Sequence, residues 1–252
     1  MTQKYLILDT ESVFDPYLRE AYKCIDEACE KARIGCRKLV AVSMWPIEID
    51  ALGRITTGSL ASWTLDECGD EAAVLSEAFA FMRQHGSHTL VTYGGLAMDC
   101  QILQLAAISA DLSLPRQLSE SQGPRWKDLR SIDIGLSLKG SGKTWHHMSE
   151  VLLRLGIPVA LLLGKADPGV RPDQIRWEQI RQHCESDVLL TAMVLVAWLR
   201  LQGATTMRIP AGCLALLESF MRRRPDASRE PILRRIADDF RIDVVGDLEK
   251  AA

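Results

Sequence analysis

The sequence predicts an α/β domain, a mixed sheet flanked by helices, with a helical C-terminal tail. Three observations carry this. The chain opens on a continuous apolar run, Tyr5-Leu6-Ile7-Leu8, which suits a central strand covered on both faces. Two more strand-like segments come early, and helices then alternate with strands, the order of a mixed sheet between helical layers. With 252 residues, 47% hydrophobic and 25% charged, the chain can bury a sizeable core.

The elements follow in order. Tyr5 to Leu8 is the first strand, and Asp15 to Cys36, rich in Glu, Lys and Ala, reads as helical. Leu39 to Ile49 and Ile55 to Trp63 form a hairpin around the turn signals Asp50 and Gly53. Asp70 to His85 is an amphipathic helix whose apolar face is drawn from Ala73, Val74, Phe79 and Phe81. His88 to Tyr93 is a strand stopped by Gly94-Gly95, and a helix from Met98 to Ala110 follows it. Ser113 to Trp126 is polar and irregular, and Ser131 to Leu136 is a short strand. Trp145 to Leu155 is helical, ended by Gly156 and Pro158. A loop around Asp167 to Pro172 leads into a long helix, Gln174 to Leu201. The domain is expected to span residues 1–205, with a basic helical extension over 206–252.

Composition sets limits on function. A formal net charge of −3 and a pI near 6.0 give no overall basic character, so contact with nucleic acid has to rest on local charge. The seven cysteines include no C-x-x-C pair, and their spacing fits no zinc motif. They are expected to be reduced thiols of a cytoplasmic protein. Tyr5 to Leu8 is too short for a signal peptide. Val188 to Leu199 falls short of the roughly 20 residues that span a bilayer, so no membrane association is expected.

Three acidic motifs stand out. Asp9 and Glu11 sit two apart at the end of the first strand, and side chains so spaced share a face. Two carboxylates held side by side repel each other unless a cation lies between them. Asp99 follows Gly94-Gly95 where a strand yields to a helix, a position that also suits an ordinary N-cap. In the long helix, His183 and Asp187 are four apart and share a face at the rim of an apolar stripe. Hard divalent ions take oxygen ligands of this kind.

Together these motifs resemble the DEDD family of 3′–5′ exonucleases in the RNase H-like superfamily. Asp9-Thr10-Glu11 looks like the first motif, Gly94-Gly95-Leu96-Ala97-Met98-Asp99 the second, and His183-x-x-x-Asp187 the third. The nearest resemblance is to predicted exonucleases related to the proofreading domain of B-family DNA polymerases, carried above all by Cys184-Glu185-Ser186-Asp187-Val188-Leu189. It covers about residues 4–203, and Ser137 to Lys143 is similar to that group's loop before a helix. That group usually has Asn where Gly94 stands, Phe where Met98 stands and Tyr where His183 stands.

The resemblance implies an RNase H-like mixed sheet and two ions, Mg²⁺ or Mn²⁺, held by Asp9, Glu11, Asp99 and Asp187. His183 is then the residue that orients or deprotonates the attacking water, as histidine can near neutral pH. Substrate contacts are expected at Thr10, Gly94 and Met98, with Lys143 near a phosphate. The substrate is single-stranded nucleic acid or a 3′ end, DNA or RNA, shortened to nucleoside monophosphates.

Two other functions stay open. A weakened RNase H-like module would only bind nucleic-acid ends. Ser137-Leu138-Lys139-Gly140-Ser141-Gly142-Lys143-Thr144 nearly spells a P-loop, but the pattern needs Gly where Ser137 stands and too few strands follow it. His146 and His147 are expected on a helix and facing apart, and Asp128 and Asp133 are possible further acidic ligands whose role is more readily structural. The Arg222-Arg223-Arg224 run reads as a solvated face or a nucleic-acid contact.

Overall fold

The computed structural model describes residues 2–25, 33–119, 130–162, 176–224 and 230–251. The expected loop at Asp167 to Pro172, the residues Gln174 and Asp128, and part of the Asp15 to Cys36 and Ser113 to Trp126 segments lie outside them.

Strand β1 (Gln3–Phe14) is the middle of a six-stranded mixed sheet. It pairs antiparallel with β2 (Arg37–Ile49). The outer strands β3 (Ile55–Thr57) and β4 (Ala61–Thr64) both pair with β2. On its other side β1 runs parallel to β5 (Thr89–Thr92), which in turn pairs with β6 (Ser131–Asp133). This is the mixed sheet flanked by helices that the sequence predicts.

Helices cover both faces, which explains the unbroken apolar run in β1. Leu6 and Leu8 face α3 (Glu71–Gln84) and α4 (Asp99–Ser109), while Tyr5 and Ile7 face the long α8 (Trp177–Leu201). The short helices α1 (Pro16–Ile25), α2 (Leu65–Cys68), α5 (Ile134–Lys139), α6 (Met148–Arg154) and α7 (Val159–Leu162) fill the connections. The extension forms α9 (Ile209–Arg223) and α10 (Glu230–Ala251). Leu216, Leu217 and Phe220 of α9, with Leu233, Ile236 and Phe240 of α10, share one buried cluster with α8 and β1. Trp45 of β2 meets Phe220 edge to face at 6.1 Å.

Several elements differ from the sequence reading. β1 continues through Phe14, so Asp9 and Glu11 lie inside a strand rather than at its end. Its partner β2 is long enough to hold it, with a bulge between Glu11 and Ser12. The expected hairpin partner splits at Gly58 into β3 and β4. In α3 the buried stripe is Val74, Leu75, Ala78, Phe79 and Met82. Phe81 instead packs at the edge, 5.4 Å from Trp63. The strand expected through Leu136 stops at Asp133, whose side chain caps α5. Ser137 to Lys139 are therefore helical, and the near P-loop sequence forms no strand–loop–helix cradle. Helix α6 begins only at Met148, leaving Trp145 and His146 in the irregular segment before it and His147 as its cap. Among the described residues, no helix is long and apolar enough to cross a membrane.

Candidate functional site

The pairing of β1 with β5 ends at Ile7 opposite Val91, while its pairing with β2 runs on to Phe14. Beyond Ile7 the β5 side of β1 is therefore open. A cleft of about 620 Å³ occupies this gap, at the carboxyl end of the parallel strands where α/β sheets tend to bind ligands. Asp9, Thr10, Glu11, Gly94, Met98, Asp99, His183 and Asp187 all line it.

Each carboxylate arrives by a different route. Asp9 sits opposite Ser43 on β2, and the Cys184 thiol of α8 donates to its carbonyl oxygen over 3.3 Å, tying helix to strand. One turn of α8 puts His183 and Asp187 on the same side. His183 Nε2 lies 3.6 Å from Glu11 Oε1 and 3.6 Å from Asp187 Oδ2. Donor atoms of Glu11, His183 and Asp187 all fall within 4.8 Å of one another, an arrangement that can hold a metal ion. Asp99 is the first residue of α4, not its cap; Met98 occupies the cap position and offers no capping side chain. The Thr10 hydroxyl donates to Asp99 Oδ1 over 2.5 Å.

The loop before Asp99 is shaped by Asp133. Its carboxylate accepts from the backbone N–H groups of Gly94 (2.8 Å), Leu96 (2.9 Å) and Leu136 (3.0 Å). Asp133 is thus consumed by the backbone rather than serving as a further acidic ligand. Gly94 takes the left-handed conformation (φ 79°) that this turn needs.

The electrostatics of the cleft are unfavourable without a cation. Burial, and then the charges of Asp187, Asp99 and Glu11, push the Asp9 carboxyl well above its ordinary range. Burial pushes Asp99 up to about 6, against the lowering effect of the Thr10 hydrogen bond. Asp9 Oδ2 is buried, and none of the described residues donates a hydrogen bond to it. Arg37 is the one Lys or Arg among the described lining residues, and its guanidinium donates to Ser12 and lies over the Phe14 ring. Four carboxylates, one of them with an orphaned oxygen, form a donor set suited to a hard divalent ion, with one imidazole beside them.

Other expected residues fall elsewhere. Lys143 is exposed and is not part of the cleft wall. The Thr10 hydroxyl is engaged by Asp99, while Met98 stays exposed at the rim. His147 caps α6 in a capping box with Glu150, and His146 lies 3.8 Å from Glu150. Arg223 donates to the carbonyl oxygen of Thr57, and Arg224 to Glu185, so two members of the Arg run are tied into the fold. The sequence reading did not single out Trp145 as a cleft residue, because its contacts are tertiary.

No protein-family model matches the chain, and no curated protein does. Among solved structures the chain is similar to E. coli exonuclease I in complex with a 5cy-dA13 oligonucleotide, at 12% identity and a TM-score of 0.40, over 81% of this chain and 41% of that one. It is similar to the same protein with a 5cy-dT13 oligonucleotide, at 12% identity and a TM-score of 0.43, over 81% and 42%. A further exonuclease I structure, concerned with how processivity is achieved, aligns at 12% identity and a TM-score of 0.40, over 82% and 42%. The chain spans about two-fifths of the exonuclease I chains it matches, and the likeness is one of fold.

Proposed function

We propose that this chain is a 3′–5′ exonuclease that uses two divalent ions, Mg²⁺ or Mn²⁺, to remove nucleoside monophosphates from a single-stranded 3′ end of DNA or RNA. The observation that carries this is the convergence of Asp9, Glu11, Asp99, Asp187 and His183 on one cleft, with a buried Asp9 oxygen that finds no donor among the described residues. Residues 1–205 form the nuclease domain in this reading and 206–252 a supporting extension. The free cysteines suit a reducing compartment such as the cytoplasm.

Asp9 would contact both ions, Glu11 and Asp187 would hold one, and Asp99 would support the other. When bound, such ions neutralise charge at the phosphorus and acidify a water molecule. The chain does the rest. Thr10 fixes the carboxylate of Asp99, and Asp133 fixes the loop that carries it. His183 Nε2, facing Glu11 and Asp187, orients the attacking water and takes its proton. The water oxygen bonds to phosphorus as the bond to the 3′ oxygen breaks. That oxygen takes a proton from solvent to become the new 3′ hydroxyl, His183 returns its proton to solvent, and the terminal nucleotide leaves as a 5′-monophosphate.

The test is degradation of 5′-labelled single-stranded DNA and RNA with Mg²⁺, with Mn²⁺ and with chelator. The expected result is a ladder shortening from the 3′ end, dependent on metal and abolished by Asp9→Asn. Internal cleavage, or release that ignores chelator, would overturn the reading.

A further inference from the structure

Two glycines from different elements make room for the same ring. A Cβ on Gly94 would lie 2.8 Å from Trp145 Cζ2, and one on Gly135 would lie 2.9 Å from the same atom. The benzo side of the indole is therefore seated against two bare stretches of backbone. The chain around it is fixed as well. The Tyr93 hydroxyl donates to the carbonyl oxygen of His146 over 2.8 Å, and His147 is held as the cap of α6. Yet Trp145 stays 38% exposed and forms part of the cleft wall beside the acidic cluster.

A large aromatic surface left in contact with water is unfavourable, and fixing it there has a further entropic cost. Held rigid in this way, it binds a flat partner without a fresh ordering cost. We propose that Trp145 is a stacking platform for a nucleobase of the single strand in the cleft, an inference that rests on the nuclease reading. The indole occupies the space a side chain at position 94 would use. The contact offered at this wall is then an aromatic ring rather than a polar side chain. Every base has a π-face, so such a platform tolerates any sequence and is indifferent to the 2′-hydroxyl.

The experiment uses single strands carrying one abasic sugar at each of the last three positions in turn. Binding is measured in Ca²⁺ and turnover in Mg²⁺, for the parent, Trp145→Ala and Trp145→Phe. At one position the missing base should weaken the parent's binding by about 5- to 150-fold, the range for loss of one base–aromatic stack. Trp145→Ala should show that same weakening with intact strands and no further loss at that position, while Trp145→Phe keeps most of the discrimination. A parent that ignores the abasic sugar at all three positions would overturn the platform, and this arm needs no variant to fold. So would a Trp145→Ala protein that discriminates as the parent does. Cleavage without base discrimination removes the platform and leaves the nuclease. Binding with base discrimination but no cleavage does the reverse, and a parent that neither binds nor cleaves removes both.

Discussion

Arg224, just past the end of α9, donates two hydrogen bonds to Glu185 in the middle of α8, at 2.9 Å and 2.6 Å. The Glu185 side chain is 3% exposed, and the Ser62 hydroxyl also donates to it over 2.7 Å. Ser62 is linked in turn to Ser43, the β2 residue opposite Asp9. The pair thus ties the extension to the helix that carries His183 and Asp187. Removing the half-buried arginine leaves the buried Glu185 carboxylate short of two charge-assisted hydrogen bonds. Arg224→Ala should destabilise the protein by about 1.5–3 kcal/mol. Arg224→Lys should recover part of this but not the two-pronged geometry. Urea denaturation midpoints decide it. An Arg224→Ala midpoint equal to the parent's would mean that the pair contributes nothing.

Stability should respond to metal in a pH-dependent way. Asp9 and Asp99 both titrate above the ordinary carboxylate range, Asp99 at about 6. In the unfolded chain they ionise near 3.8. Between the unfolded value and the raised folded ones the folded, metal-free state holds more protons than the unfolded one, so its stability falls as pH rises from about 4, through about 6 for Asp99. Once both carboxyls have lost their protons the full repulsion is present. A bound divalent ion removes it, because metal binds the deprotonated carboxylates. The rise in Tm on adding Mg²⁺ should therefore be large at pH 8 and shrink as pH is lowered through 6. Thermal scans with Mg²⁺ and with chelator measure it, and an increment equal at pH 5 and pH 8 would contradict the assignment.

Asp9→Asn should separate stability from activity. The substitution removes a strongly perturbed charge at nearly constant shape. Without metal, at pH 7–8, the variant should melt higher than the parent, and Mg²⁺ should raise its Tm less. Turnover should meanwhile drop by orders of magnitude. Lower metal-free stability in the variant would mean that the cluster is not repulsive as described.

The parts that local chemistry controls were legible in the sequence. Spacing of two along β1 brought Asp9 and Glu11 together, and spacing of four along α8 brought His183 and Asp187 together. Covering of both sheet faces was readable from the unalternated run at Tyr5 to Leu8. The extent of β1 was not, because its polar continuation to Phe14 is held by pairing with β2 rather than by its own propensity. Asp133 left only the weak signal of an acid ahead of a helix, and its reach to Gly94 and Leu96 is tertiary. Trp145 and Arg224 matched patterns for a helix and for a solvated basic face. Only the fold shows one seated on glycines and the other held by Glu185.

His183 is the catalytic assignment most open to test. Its Nε2 lies between Glu11 and Asp187, where it can receive a proton from a water held among those groups. General-base assistance contributes about 10²- to 10⁴-fold, so His183→Ala should lower kcat by that amount. The Mg²⁺-induced rise in Tm should stay close to the parent's, since the four carboxylates remain. His183→Tyr, which keeps a polar group at the same helical position, should retain more turnover than the Ala variant.

Gly94 offers the last prediction, because it couples to Trp145. An Asn at position 94 tolerates the left-handed backbone better than most residues. Its Cβ would nevertheless stand 2.8 Å from the indole. Something has to shift, and overpacking of this kind destabilises by about 1–3 kcal/mol. Gly94→Asn should therefore lower stability and move Trp145, changing its near-ultraviolet circular dichroism. If the ring is the obstacle, Trp145→Ala should relieve the strain. The double variant should then be more stable than the sum of the two single effects predicts, with a coupling of about 0.5–3 kcal/mol. Strict additivity would mean that the strain at position 94 comes from the backbone and that the indole moves aside freely. A freely moving indole would also undercut its use as a rigid platform, so this cycle and the abasic-strand experiment test one geometry from opposite sides.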